Sequence, residues 1–156
     1  VAIGERLGMD DGGLANLAMV ALLHDIGKVG VPSHILRKPG KLTDREWKIV
    51  ADHPEIGARI ASSLPDLVPI AEDIRSHHER WDGRGYPRGL SGKDIPLRAR
   101  VVSVVDAFDV MTSGRPYQAA KTVEEALEEV RRCAGTQFDP EIAEILIELV
   151  ERGDAE

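Results

Sequence analysis

Leu97-Arg98-Ala99-Arg100-Val101-Val102-Ser103-Val104-Val105-Asp106-Ala107-Phe108-Asp109-Val110-Met111 is the stretch on which the fold class turns. It is strongly apolar and reads as a buried helix, although its Val-rich centre would also suit a strand. The neighbouring segments favour the helix. Downstream, Thr122 with Glu125 forms a capping box that opens a helix to Ala134. Asp139 followed by Pro140 is an N-cap and a first-position proline for the last helix. Upstream, Trp81 to Pro96 holds four glycines and two prolines in sixteen residues and cannot be regular helix. Before it, helices are expected from about Leu67 to Arg80, from Ile56 to Leu64 after the His53-Pro54 interruption, and from Thr43 (a second capping box, with Glu46) through Asp52. Leu14, Leu17, Ala18, Ala21 and Leu22 have helical spacing, and that helix is expected to run to about Lys28. Val1 to Leu7, closed by Gly8, reads as the tail of a further helix. No credible hairpin or repeat is present. The expected fold is an all-α bundle of about seven helices with one long loop, in a single domain over residues 1–156.

The chain has 156 residues, 27 acidic and 20 basic, for a formal net charge of −7. That balance argues against broad binding to a DNA or RNA backbone. No run approaches the ~18 apolar residues of a membrane span. One cysteine, Cys133, excludes an internal disulfide framework and fits a reducing, cytoplasmic setting. Only 4% of residues are aromatic, so Ala, Leu, Ile and Val carry the packing.

The chain has only five histidines, and four of them stand in chemically suggestive positions: His24 before Asp25, His53, and the adjacent pair His77-His78. Asp106 joins them as a carboxylate among Val101, Val102, Val104, Val105, Ala107 and Phe108, costly to bury unless paired or metal-bound. Imidazole with carboxylate suits Fe, Mn, Zn or Ni, and the lack of usable thiols argues against a structural zinc cluster. Any one of these histidines alone reads as a core or surface residue; the set carries the argument. His34, in a connector rich in Lys and Arg, reads as a solvated surface residue. Lys28 follows His24 by four residues, and Arg100 precedes Asp106 by six. Beside a metal such cations make sense if an anion such as phosphate arrives there; otherwise they are surface ion pairs. Trp81 and Tyr86 offer faces on which a base could stack, and Arg84 and Arg88 could meet phosphate. The alternative is a structural loop that packs its aromatics inward.

His24-Asp25-Ile26-Gly27-Lys28 resembles the motif of the HD phosphohydrolase superfamily. His77-His78-Glu79-Arg80-Trp81-Asp82-Gly83 with Gly85-Tyr86-Pro87 resembles its HD-GYP subfamily. The likeness continues through His53-Pro54-Glu55-Ile56-Gly57, Ile95-Pro96, Arg100, Asp106-Ala107-Phe108-Asp109, Arg115-Pro116-Tyr117 and Phe138-Asp139-Pro140. The resemblance implies an all-α cyclic di-GMP phosphodiesterase with two divalent metals, three in some members, most often iron or manganese. Carried over by motif, His24, Asp25, His53, His77, His78 and Asp106 would be metal ligands, with Asp25 bridging. Lys28 and Arg100 would contact the phosphate, and Gly85, Tyr86, Pro87 and Arg115 would shape the nucleotide pocket. GGDEF-type cyclases would be partners through the Gly-Tyr-Pro loop, and family members are often dimeric.

The implied reaction is hydrolysis to pGpG, and then to GMP, by water activated between two metals ~3.5–4 Å apart. Two departures stand out. The family's first-helix His, sometimes with a Glu, has no counterpart here, so the domain is expected to lack that helix. Gly114 stands where an acidic residue is common. Two alternatives follow: a degenerate module that binds nucleotide or partner without hydrolysis, and an HD phosphohydrolase for another nucleotide, such as a hybrid cyclic dinucleotide.

Overall fold

Val101, Val104, Phe108 and Met111 recur at i, i+3, i+7 and i+10, the spacing of one face of a helix. In the computed structural model, which describes residues 1–113 and 119–153, the stretch from Leu97 to Ser113 is a single helix. β-Branched residues weaken intrinsic helix propensity, but burial overrides a preference of a few tenths of a kcal/mol per residue. Val101, Val102 and Val104 are buried, each contributing roughly 1.5–3 kcal/mol relative to exposure.

Nine α-helices occur among the described residues: α1 (Ala2–Arg6), α2 (Asp11–Leu23), α3 (Ser33–Leu36), α4 (Asp44–Ala51), α5 (His53–Ser62), α6 (Ala71–Ser76), α7 (Leu97–Ser113), α8 (Val123–Cys133) and α9 (Pro140–Arg152). Short 3-10 segments lie at Ile26–Gly30, Pro65–Ile70 and Gly92–Asp94, and there is no strand among the described residues. The all-α expectation holds, with nine helices among the described residues against about seven expected. None of these helices is long and apolar enough to cross a membrane. The core gathers Leu17 and Val20 of α2, Ile74 of α6, Val101 and Val104 of α7, Val130 of α8, and Ile142 and Leu146 of α9.

The cap signals are realised. Thr43 with Glu46 and Thr122 with Glu125 close both capping boxes, and the Asp139 side chain accepts from the Glu141 N–H. Two expected helices are shorter. The helix through Lys28 ends at Leu23 and continues after a break as the 3-10 turn. There Gly27 lies so close to α5 that a Cβ would fall 1.8 Å from the His53 carbonyl oxygen. The helix expected over 67–80 is α-helical only at 71–76; Pro69 lacks the N–H an α-helix needs there, and the preceding turn is 3-10.

Candidate metal centre

Three histidines sit where helices end. His24 caps α2, His53 follows α4 as the first residue of α5, and His77 follows α6. Each places Nδ1 on the carbonyl three residues earlier: 2.9 Å to Ala21, 2.7 Å to Val50 and 2.6 Å to Ile74. The last carbonyls of a helix lack partners within it, so each imidazole N–H satisfies one of them. The same bond assigns the tautomer, with the hydrogen on Nδ1 and a lone pair on Nε2.

Those lone pairs converge. His53 Nε2 is 3.3 Å from His77 Nε2 and 3.2 Å from Asp25 Oδ1, and His77 Nε2 is 3.9 Å from the same oxygen. Asp25 Oδ1 is buried without a hydrogen-bond donor. Burial, reinforced by neighbouring imidazoles, pushes His77 down to about 3, and burial followed by the neighbouring His53 ring pushes His78 down to about 4. At neutral pH this centre is therefore rich in acceptors and poor in protons, which favours a cation at its middle. Ligand atoms of Asp25, His53, His77 and His78 lie within 4.8 Å of one another, close enough to share one metal ion.

The other oxygen of Asp25 faces a second group. Lys28 Nζ donates to Oδ2 at 2.5 Å, and His24 Nε2 stands 3.7 Å from Oδ2 and 3.6 Å from Asp106 Oδ1. Three residues per 3-10 turn set Lys28 directly over Asp25. Burial raises the Asp25 carboxyl, but the adjacent His53 and Lys28 outweigh it and hold it well below the usual carboxylate range. The Asp106 contact raises His24 against its own burial, and the same contact lowers Asp106. Asp106 is not buried as its apolar neighbours led us to expect: its side chain is 38% exposed, because α7 turns Val101, Val102 and Val104 inward and Asp106 towards α2. Imidazole and carboxylate donors without thiolate fit a divalent metal ion, Fe, Mn, Zn and Ni among them. Cys133 is buried on α8.

Glu79, 3% exposed, accepts the backbone N–H groups of Arg88 (2.7 Å) and Leu90 (3.0 Å) and so holds the Gly-Tyr-Pro loop closed. The Tyr86 N–H donates to the His78 carbonyl, and Gly85 passes so close that a Cβ would meet the Arg80 nitrogen at 2.4 Å. This brings the Tyr86 ring onto His78, centroids 4.9 Å apart and nearly parallel, with Trp47 of α4 edge-on to Tyr86 at 5.7 Å. Neither Glu79 nor Trp47 was singled out in the sequence. The position of Glu79, between the His pair and a glycine-rich loop, was the available signal.

Six residues named from the sequence are thus drawn together: His24, Asp25, His53, His77, His78 and Asp106, with Lys28 beside them. Arg100 is placed differently. Its guanidinium, 12% exposed, pairs with Asp139 at 2.6 Å, donates to the Ile95 carbonyl and lies over the Trp81 ring. Arg88 is taken by Ser76 and Glu72, while His34 is exposed. Arg115 and Gly114 fall within 114–118, outside the described residues.

Residues 1–142 match the HD domain family. The chain belongs to the HD-domain family. This HD domain is 45% identical over 149 residues to a cyclic di-GMP phosphodiesterase of Thermotoga maritima, covering 94% of the chain and 40% of that relative. It is 43% identical to a 3'3'-cGAMP-specific phosphodiesterase of Vibrio cholerae over 81% of the chain and 24% of the relative. Among solved structures it resembles a cyclic GMP-AMP-specific phosphodiesterase of V. cholerae (TM-score 0.71, 26% identity, 96% of this chain and 41% of the other). It shares its fold with an HDGYP protein of Bdellovibrio bacteriovorus (TM-score 0.74, 22% identity, 96% and 48%). The chain spans about two fifths of the length of its Thermotoga relative.

Proposed function

We propose that this HD domain is a metal-dependent phosphodiesterase that hydrolyses cyclic di-GMP to pGpG, and then to GMP. The supporting observation is the Asp25 carboxylate, which presents Oδ1 to His53 and His77, with His78 in the same cluster, and Oδ2 to His24 and Lys28. In this reading His53, His77, His78 and Asp25 hold one ion, His24, Asp106 and Asp25 a second, and both are iron or manganese. Bound divalent ions would supply an activated water at neutral pH and positive charge for the phosphate.

The protein's own groups do the rest. Lys28, partly exposed and resting on Asp25, can turn its ammonium to a phosphate oxygen and offset charge developing in the transition state. Arg100 reaches a phosphate oxygen only by sharing its guanidinium with Asp139, so we assign it the weaker phosphate contact and a strong hold on α9. Gly85, Tyr86, Pro87 and Arg115 bound the nucleotide pocket. Residues 1–156 act as one domain in the cytoplasm, with GGDEF-type proteins as partners of the loop and a homodimer as the assembly to test.

A second substrate, 3'3'-cGAMP, is favoured by the V. cholerae relatives of that name. Metal-loaded protein, kept reduced and anaerobic, is to be given both dinucleotides side by side. Turnover of cyclic di-GMP supports the proposal. Turnover of 3'3'-cGAMP alone replaces the substrate, and binding without turnover of either leaves a signalling module.

A further inference from the structure

Trp47 is 49% exposed and belongs to α4, a helix with no fully buried residue. Its indole therefore contributes little to the core, and its aromatic contact is with the ring of Tyr86, itself stacked on His78 of the metal centre. The three rings form a continuous path from the centre to solvent. Tyr86 is already engaged on both sides of that path, and Trp81 lies beneath the Arg100 guanidinium. Among these aromatics Trp47 combines the largest solvent-facing surface with a link, through Tyr86, to His78.

Its mounting is rigid. Glu46, the preceding residue, accepts from the Thr43 N–H at 2.7 Å and from Lys38 Nζ at 2.6 Å, which fixes the first turn of α4 to the connector before it. A stacking surface loses least on binding when its backbone is held in advance.

We propose that Trp47 is a substrate-binding residue that stacks a base of the nucleotide whose phosphate lies at the metal centre. The proposal rests on the phosphodiesterase reading for that phosphate. Base-on-indole stacking is sequence-tolerant and typically changes affinity on the order of ten- to hundred-fold. Trp47 accordingly adds affinity for the base while leaving the bond to be cleaved to other groups.

Calorimetric binding of GMP and of ribose 5-phosphate to metal-loaded wild type, Trp47→Ala and Trp47→Phe isolates the base, because the two ligands share sugar and phosphate. GMP should bind wild type more tightly than ribose 5-phosphate. Trp47→Ala should abolish that advantage, weakening GMP about ten-fold or more with ribose 5-phosphate unchanged, and Trp47→Phe should keep most of it. Equal weakening of both ligands by Trp47→Ala, or no effect on GMP, overturns the proposal. A protein that shows the full GMP advantage yet leaves cyclic di-GMP intact refutes the reaction and keeps the stacking site.

Discussion

His53 Nε2 lies 3.2 Å from Asp25 Oδ1, although the His53 hydrogen is committed to the Val50 carbonyl on the opposite side of the ring. Two lone pairs at that distance repel unless positive charge lies between them. With His77 Nε2 only 3.3 Å from His53 Nε2, the three atoms are arranged as donors to one shared cation.

Asp25→Asn should therefore cost more than any other single ligand change, since one residue serves both groups. We expect metal content to fall sharply and hydrolysis to drop on the order of a hundred-fold or more. Elemental analysis and turnover on the same preparation check it. Retention of full metal content by the variant would show that Asp25 is not shared.

The metal-free protein should lose stability in mild acid. His77 and His78 titrate near 3 and 4 when folded and near 6.5 when unfolded. Between pH 6.5 and 4 the unfolded chain takes up protons that the folded chain refuses, so stability falls as pH falls, by at most about 1.4 kcal/mol per pH unit for each of the two groups. His24 runs the opposite way, because Asp106 raises it, but its contribution changes above pH 6.5 and leaves this window to the other two. Melting temperatures across that window, with chelator, measure the slope. A flat profile would mean the imidazoles are less buried than the structure has them.

How much of this was legible in the sequence depends on the range of the interaction. Thr43 with Glu46, Thr122 with Glu125, and Asp139 with Pro140 are local signals, and each helix starts where they place it. The end of α2 was not legible, because it depends on Gly27 meeting the His53 carbonyl, a contact across 26 residues. The ligand types could be listed from composition and motif, yet their division between the two oxygens of Asp25 needed the fold. Arg100 shows the same limit: its partner Asp139 lies 39 residues away, and no local signal pairs the two.

Gly27→Ala and Gly12→Ala should diverge. A Cβ on Gly27 would sit 1.8 Å from the His53 oxygen, and the backbone cannot give, so we expect a loss of about 3 kcal/mol or more together with metal binding. A Cβ on Gly12, in the first turn of α2, meets nothing nearer than 3.7 Å and should stabilise by roughly 0.5–1 kcal/mol. Denaturant unfolding of both variants decides it. Equal effects would refute the close approach.

Glu79→Ala leaves the N–H groups of Arg88 and Leu90 without their acceptor, at a cost of roughly 1–3 kcal/mol for each group that stays dry. Because those bonds hold Tyr86 on His78, KM for the dinucleotide should rise more than kcat falls, and Glu79→Gln should recover only part of the loss, since its amide keeps one acceptor and turns an NH2 to the other N–H. A variant with a lower melting point and unchanged KM would separate the loop from substrate binding.

Metal content per chain of protein purified anaerobically without chelator, with cyclic di-GMP turnover followed as metal is removed and restored, bears most directly on the metal centre. We expect about two ions per chain and turnover that rises and falls with occupancy. Protein that stays essentially metal-free when iron or manganese is supplied, or that hydrolyses equally well after chelation, would contradict it.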